Sequence, residues 1–152
     1  EFYLSTPILI GVSKWLPTSV SKLNGKLSFS SRQGGLATAM SSLGKTHDYI
    51  WIGWPGIDSE QLTADDRKLV RKELERHDCY PVFLTSKQIE NFYDGYANAT
   101  IWPLFHYFQS LTKYRARFWD EYNKVNRLYE AAVLKYATNS SAIWIHDTHL
   151  IL

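Results

Sequence analysis

Four short apolar runs constrain this chain more than any other feature. They are Pro7–Val12 (PILIGV), Tyr49–Trp54 (YIWIGW), Cys79–Leu84 (CYPVFL) and Ala142–Ile145 (AIWI). The first has the continuous apolar pattern of a strand buried on both faces of a parallel sheet, and the others read as further strands. Helical patterns lie between them. Thr63–Arg76 is amphipathic, with Thr63 able to cap it and Asp65 and Asp66 in the first turn. Arg115–Tyr136 spaces Phe118, Tyr122, Val125, Tyr129, Ala132 and Tyr136 along one face, a core face with hydroxyls able to reach the surface. Thr85 and Gln88 form a capping box for a short helix that stops near Gly95. Strands alternating with helices predict an α/β domain with a mainly parallel sheet. Asn24-Gly25 adds an N-terminal β-hairpin, and Gly34-Gly35 opens a helix running to about Leu43.

The 152 residues suit one domain. A net charge of +2, with 17 basic residues scattered along the chain, gives no basis for a nucleic-acid partner. No apolar run reaches the length of a membrane span, and no signal peptide pattern opens the chain. Cys79 is the single cysteine, so no intrachain disulfide forms. Its apolar context predicts a buried, inert thiol in a reducing, cytoplasmic setting. The chain stops inside the apolar run Leu150-Ile151-Leu152, which predicts the front part of a longer protein.

Aromatic residues make up 15% of the chain, and Asn91–Tyr107 (NFYDGYANATIWPLFHY) mixes them with Asn, Asp and His. Rings that stack on a sugar face, beside short hydrogen-bonding groups, suit a carbohydrate site. They also suit a core. Gly34-Gly35 is either a place for a phosphate or crowded sugar at a helix N-terminus, or a plain tight turn. His146-Asp147-Thr148-His149 follows the last strand, where open α/β sheets bind ligands. Asp147 there suits a sugar hydroxyl better than the histidines suit a metal, because the spacing matches no zinc motif. Loop structure alone also explains it. No GxGxxG, Walker or GxSxG pattern is present, so no cofactor is expected and no nucleophile stands out.

Taken in order, GVSKWLPTSV, RQGGLATAM, YIWIGWPG, NFYDGYANATIWPLFHY, FWDEYNKVN and IWIHDTHLIL resemble the N-terminal part of the trehalose-6-phosphate synthase family. That resemblance implies a Rossmann-like front part of a GT-B N-terminal domain, spanning residues 1–152. It implies a retaining transfer of glucose from UDP-glucose to glucose 6-phosphate, giving trehalose 6-phosphate and UDP without a protein-bound metal. A nucleotide-sugar domain beyond Leu152 would complete the site, and the fragment alone would be inactive. A homo-oligomer or a trehalose phosphatase is a further implied partner. Carried over by motif, Gly35 meets the donor, Tyr93 and Trp102 cradle the acceptor, Trp54 lies beside the sugars, and Asp147 is the catalytic carboxylate with His149 next to it.

Two positions depart from the family pattern. Its first block reads close to SNRLP, and its arginine grips the acceptor phosphate; here Trp15 takes that place. An indole cannot supply a guanidinium fork. Lys14 is adjacent, but neighbours on an extended strand point to opposite sides. Thr148 replaces a tyrosine in the last block. The loss at Trp15 supports an alternative, a non-catalytic regulatory or scaffolding module of a trehalose synthesis complex.

Overall fold

The computed structural model describes residues 8–32, 34, 35, 38, 42 and 48–152. Four strands form one parallel sheet: β1 (Leu9–Trp15), β4 (Tyr49–Trp54), β5 (Cys79–Pro81) and β6 (Ala142–Ile145), in the order β5-β4-β1-β6. β2 (Thr18–Leu23) and β3 (Lys26–Ser31) make the expected hairpin. Its two-residue turn puts Asn24 at φ 50° and Gly25 at φ 77°, the two positive angles that Asn-Gly supplies most readily. The helix expected from Gly34-Gly35 to Leu43 lies largely outside the described residues. Where it begins, the Gly34 carbonyl accepts from the Thr38 N–H at 3.0 Å, one turn of helix.

Apolar side chains leave the sheet on both faces, as continuous apolar strands require. Ile10, Val12, Ile52 and Trp54 pack with Phe92, Tyr122, Val125 and Tyr129 on one side. Trp51 and Cys79 pack on the other with Val70 and Leu74 of the Ala64–Glu75 helix and Val20 of the hairpin. Thr63 caps that helix through a reciprocal box with Asp66. Asp66 also pairs with Lys22 at 2.6 Å, tying hairpin to helix, and that bond holds its carboxyl down at about 2. Cys79 is buried, and burial pushes its thiol up to about 12, so it is inert as expected.

Two expectations need correction. The short helix does not stop at Gly95. Ser86–Ile89 runs on as a π-helix over Glu90–Ile101, closed by an i→i+5 bond from the Trp102 N–H to the Ala97 carbonyl, and then as a helical turn over Trp102–Phe105. Gly95 is there for packing, since a Cβ on it would fall 2.5 Å from the ring of Phe118. The long helix, Ala116–Tyr136, presents a core face as expected, with Tyr136 half-buried at its edge. Tyr122 and Tyr129 are buried and donate to the Thr148 and Lys14 carbonyls at 2.7 and 2.8 Å. Finally, β1 continues three residues past Val12, because a bulge between Val12 and Trp15 lets the pairing with β4 resume at Trp54.

Candidate functional site

β1 has β4 on one side and β6 on the other, so the strand order reverses across it. Crevices outside the carboxyl ends of strands at such a reversal are where open α/β sheets bind ligands. Ser13, Lys14 and Trp15 end β1, and His146-Asp147 follows β6. The two ends meet around a cavity of about 240 Å³, whose lining also includes Arg32, Gly34 and His149.

The bulge overturns the expectation that Lys14 and Trp15 point apart. With alternation broken, the Lys14 Nζ lies 4.1 Å from the Trp15 ring centroid and also against the face of Tyr93. The bulge is held by a relay in which the Trp51 indole donates to Ser13 Oγ at 2.7 Å and Ser13 donates to the Trp15 carbonyl at 2.6 Å. Trp15 in turn packs on Trp54 at 4.6 Å between centroids and edge-on to Tyr93 at 6.3 Å.

Across the cavity, Asp147 has φ 69° and ψ 169°, a region that only glycine enters freely. Its carboxylate accepts from the Thr148 N–H at 2.6 Å and lies 3.2 Å from His149 Nδ1. Burial lowers the His149 pKa, with Asp147 opposing and Lys14 reinforcing, so the ring is neutral near pH 7. His149 also packs on Tyr93 at 5.4 Å. The long helix fixes this loop from beneath. Asn126 donates to the His149 carbonyl and accepts from the Leu152 N–H, both at 3.3 Å, while Tyr122 donates to Thr148. Asn126→Ala is therefore expected to cost about 2 kcal/mol by orphaning buried partners. Faster amide exchange over residues 148–152 checks it; unchanged exchange would mean the loop holds itself.

Four buried side-chain polar atoms among the described residues make no well-formed hydrogen bond: Lys14 Nζ, Arg32 Nε, His146 Nε2 and His149 Nδ1, the last having only its 3.2 Å approach to Asp147. All four belong to residues lining this one cavity. Buried groups of this kind ordinarily find partners, so their gathering here marks a place that awaits a hydrogen-bonding ligand. Two of the four are cationic types, which suits an acceptor-rich or anionic one.

Trp15, Trp54, Tyr93, Asp147 and His149 are thus brought together. Trp54 is buried, with its indole N–H already donating to the Ile57 carbonyl at 3.1 Å, so it supports Trp15 rather than facing the cavity as a donor. Gly35 is exposed and helical, next to Gly34 at the cavity wall. Trp102 is 52% exposed and stacks on His106 at 4.0 Å; no described contact joins it to Tyr93. Arg32 escaped the sequence reading, although it opens the RQGG block and its neighbour glycines were singled out.

The sequence model of glycosyltransferase family 20 matches residues 8–152. The chain belongs to that family. It is 35% identical over 145 residues to the UDP-forming alpha,alpha-trehalose-phosphate synthase of Botryotinia fuckeliana, covering 95% of this chain and 27% of that protein. The bifunctional trehalose-6-phosphate synthase/phosphatase of Thermoproteus tenax is 39% identical over 153 residues, covering 95% and 20%. Among solved structures, the UDP-forming synthase of Burkholderia xenovorans in complex with glucose-6-phosphate superposes with a TM-score of 0.64 at 23% identity, over 95% of this chain and 29% of that one, which supports the fold. The chain spans between a fifth and a third of the length of these relatives. Its Rossmann-like α/β architecture and its glycosyltransferase family are therefore as the motifs implied. No helix among the described residues is long and apolar enough to cross a membrane.

Proposed function

We propose that the protein containing this chain transfers glucose from UDP-glucose to glucose 6-phosphate, forming trehalose 6-phosphate and UDP. The observation that carries this is the gathering of three unpartnered polar atoms, Lys14 Nζ, Arg32 Nε and His146 Nε2, beside the Asp147–His149 pair in one aromatic-walled cavity at the strand reversal. Family membership supplies the reaction class. In this proposal residues 1–152 are the acceptor-side part of a GT-B fold, with the nucleotide held by a second domain of the same protein. Tyr93 and Trp15 wall the acceptor, Gly35 and the backbone beside it approach the donor, and Asp147 holds a sugar hydroxyl at the reacting face. Trp102 belongs to the acceptor site only if the bound state draws it inward. The lone buried Cys79 fits a cytoplasmic enzyme.

In the reaction, the glucose C1–O bond to the UDP phosphate breaks while the acceptor's anomeric hydroxyl oxygen bonds to C1. Its proton passes to the departing phosphate. Nothing in this needs a covalent nucleophile; it needs two sugars held face to face and charge stabilised as it develops.

A second reading has its own support, because Trp15 fills space against Trp54 where the family pattern carries a charge. It makes the protein a non-catalytic partner within a trehalose-forming complex. The deciding experiment is UDP release by the full-length protein given both substrates. Steady release at roughly 1 s⁻¹ or faster, in the ordinary enzyme range, is the expected result. Glucose 6-phosphate binding without UDP release would favour the second reading.

A further inference from the structure

Trp15 carries no charge, yet two cationic side chains are packed on it. The Arg32 Cζ lies 3.8 Å from the Trp15 ring centroid, so the guanidinium rests on the indole face. Gly56, in the Trp54-Pro55-Gly56 turn, flanks the edge of this stack: it has φ +88°, and a Cβ there would fall 2.6 Å from Arg32 Nη2 and 3.5 Å from the Trp15 ring. The Arg32 backbone N–H donates to the Pro17 carbonyl at 2.6 Å, pinning the end of β3 beside the bulge. A guanidinium resting by one face on an indole keeps its edge donors for something else. Among the described residues, neither Arg32 Nε nor Lys14 Nζ has a hydrogen-bond partner, and neither residue is in an ion pair.

We propose that Arg32, together with Lys14 on the same indole, holds the phosphate monoester of the acceptor sugar, replacing an arginine at position 15 with a cation delivered from β3. This rests on the acceptor reading given above. The chemistry is a fork of N–H donors on a phosphate, reinforced by an ammonium, with Trp15 as the platform that aligns both. Three charged groups bear on Lys14: Asp94 and Asp147 attract a proton to it, while Arg32 opposes one. Burial outweighs them and brings the Lys14 pKa down to about 6, and a dianion arriving to face it would favour the ammonium.

The test is equilibrium titration of the full-length protein and its Arg32→Gln, Arg32→Lys and Lys14→Met variants. The probes are glucose 6-phosphate, inorganic phosphate and UDP-glucose. Arg32→Gln is expected to weaken glucose 6-phosphate and inorganic phosphate by about 30-fold, the loss of a charged hydrogen-bond pair, while UDP-glucose binding stays within twofold. Lys14→Met is expected to act in the same direction but less. Arg32→Lys, which keeps the charge and loses the fork, is expected to fall between Gln and the parent.

Glucose 6-phosphate binding by Arg32→Gln within twofold of the parent overturns the proposal. So does equal weakening of both sugars in Arg32→Lys, the milder variant that guards against simple misfolding. Binding requires no turnover, so the two proposals fail separately. A parent that binds glucose 6-phosphate through Arg32 yet releases no UDP keeps this assignment and ends the catalytic one. A parent that turns over normally as Arg32→Gln does the opposite. A parent that binds neither glucose 6-phosphate nor inorganic phosphate ends both.

Discussion

Alanine at position 53 is expected to disrupt the sheet, lowering the melting temperature of the protein by about 10 °C. Gly53 sits in β4 beside the bulge of β1. A Cβ there would fall 2.8 Å from the Trp15 carbonyl carbon, 2.9 Å from the Leu16 nitrogen and 3.0 Å from the Ser13 oxygen. All three are main-chain atoms, so no rotamer change relieves the overlap. The strands must part, at a cost of about 3 kcal/mol or more for overpacking against rigid neighbours. Gly95 makes the contrast. Its Cβ would meet the Phe118 ring, a side chain with some freedom, and Gly95→Ala should cost less. Thermal melts of both variants check the ranking. A fall of under 2 °C for Gly53→Ala would show that the bulge yields, and with it the convergence of Lys14 and Trp15.

The second large effect is on turnover. Asp147→Asn is expected to reduce the rate of UDP formation about 10³-fold, the scale for removing a charged or hydrogen-bonding group aimed at the reacting centre. The fold should survive, because asparagine tolerates positive φ and its side-chain oxygen can still accept from the Thr148 N–H. Asp147→Gly should be just as inactive and about as stable. Relief of the backbone strain at φ 69° is worth about 1–3 kcal/mol, against about 0.5–1 kcal/mol for the added freedom of a glycine and about 1 kcal/mol for the lost hydrogen bond from the Thr148 N–H. The melting temperature is expected to change by less than about 3 °C. An aspartate with only a structural role would give the reverse pattern, an active Asn variant and a destabilised Gly variant.

Much of the architecture is legible in the sequence because parallel strands are buried on both faces and therefore carry uninterrupted apolar runs. PILIGV and YIWIGW name their strands in this way, AIWI names its strand although its four residues are exposed among the described residues, and Asn24-Gly25 names its turn. Thr63 and Thr85 name their caps. What escapes is conditional on neighbours. Gly95 looks like a helix stop until Phe118 is seen against it. Lys14 and Trp15 look opposed until the pairing slips between Val12 and Trp15. A bulge has no composition of its own here; it follows from how β1 meets Gly53 on β4. The site divides in the same way. Asp147, His149 and Tyr93 are found by motif, and the structure gathers them. Arg32 lies beside Gly34 in sequence but far from Trp15 along the hairpin, and only the return of β3 to Pro17 brings it to the indole. Trp102 shows the converse, a motif position that stands apart on the surface.

The position of β1 in the sheet also dictates a sequence of events. One of its partners, β4, follows it closely in the chain, whereas the other, β6, comes far later: Leu9 pairs with Tyr49 but also with Ala142, and Val12 with Ile145. Closing so long a loop is slow, so pairing of β1 with β4 should precede it. Until β6 docks, β1 has an open edge, and Lys14 and Trp15 have no Asp147 or His149 to face. The cavity thus comes into being only once β6 has paired with β1. A chain in which β6 has yet to dock lacks the proposed acceptor site, and the first binding of a sugar phosphate would serve as a clock for the arrival of β6.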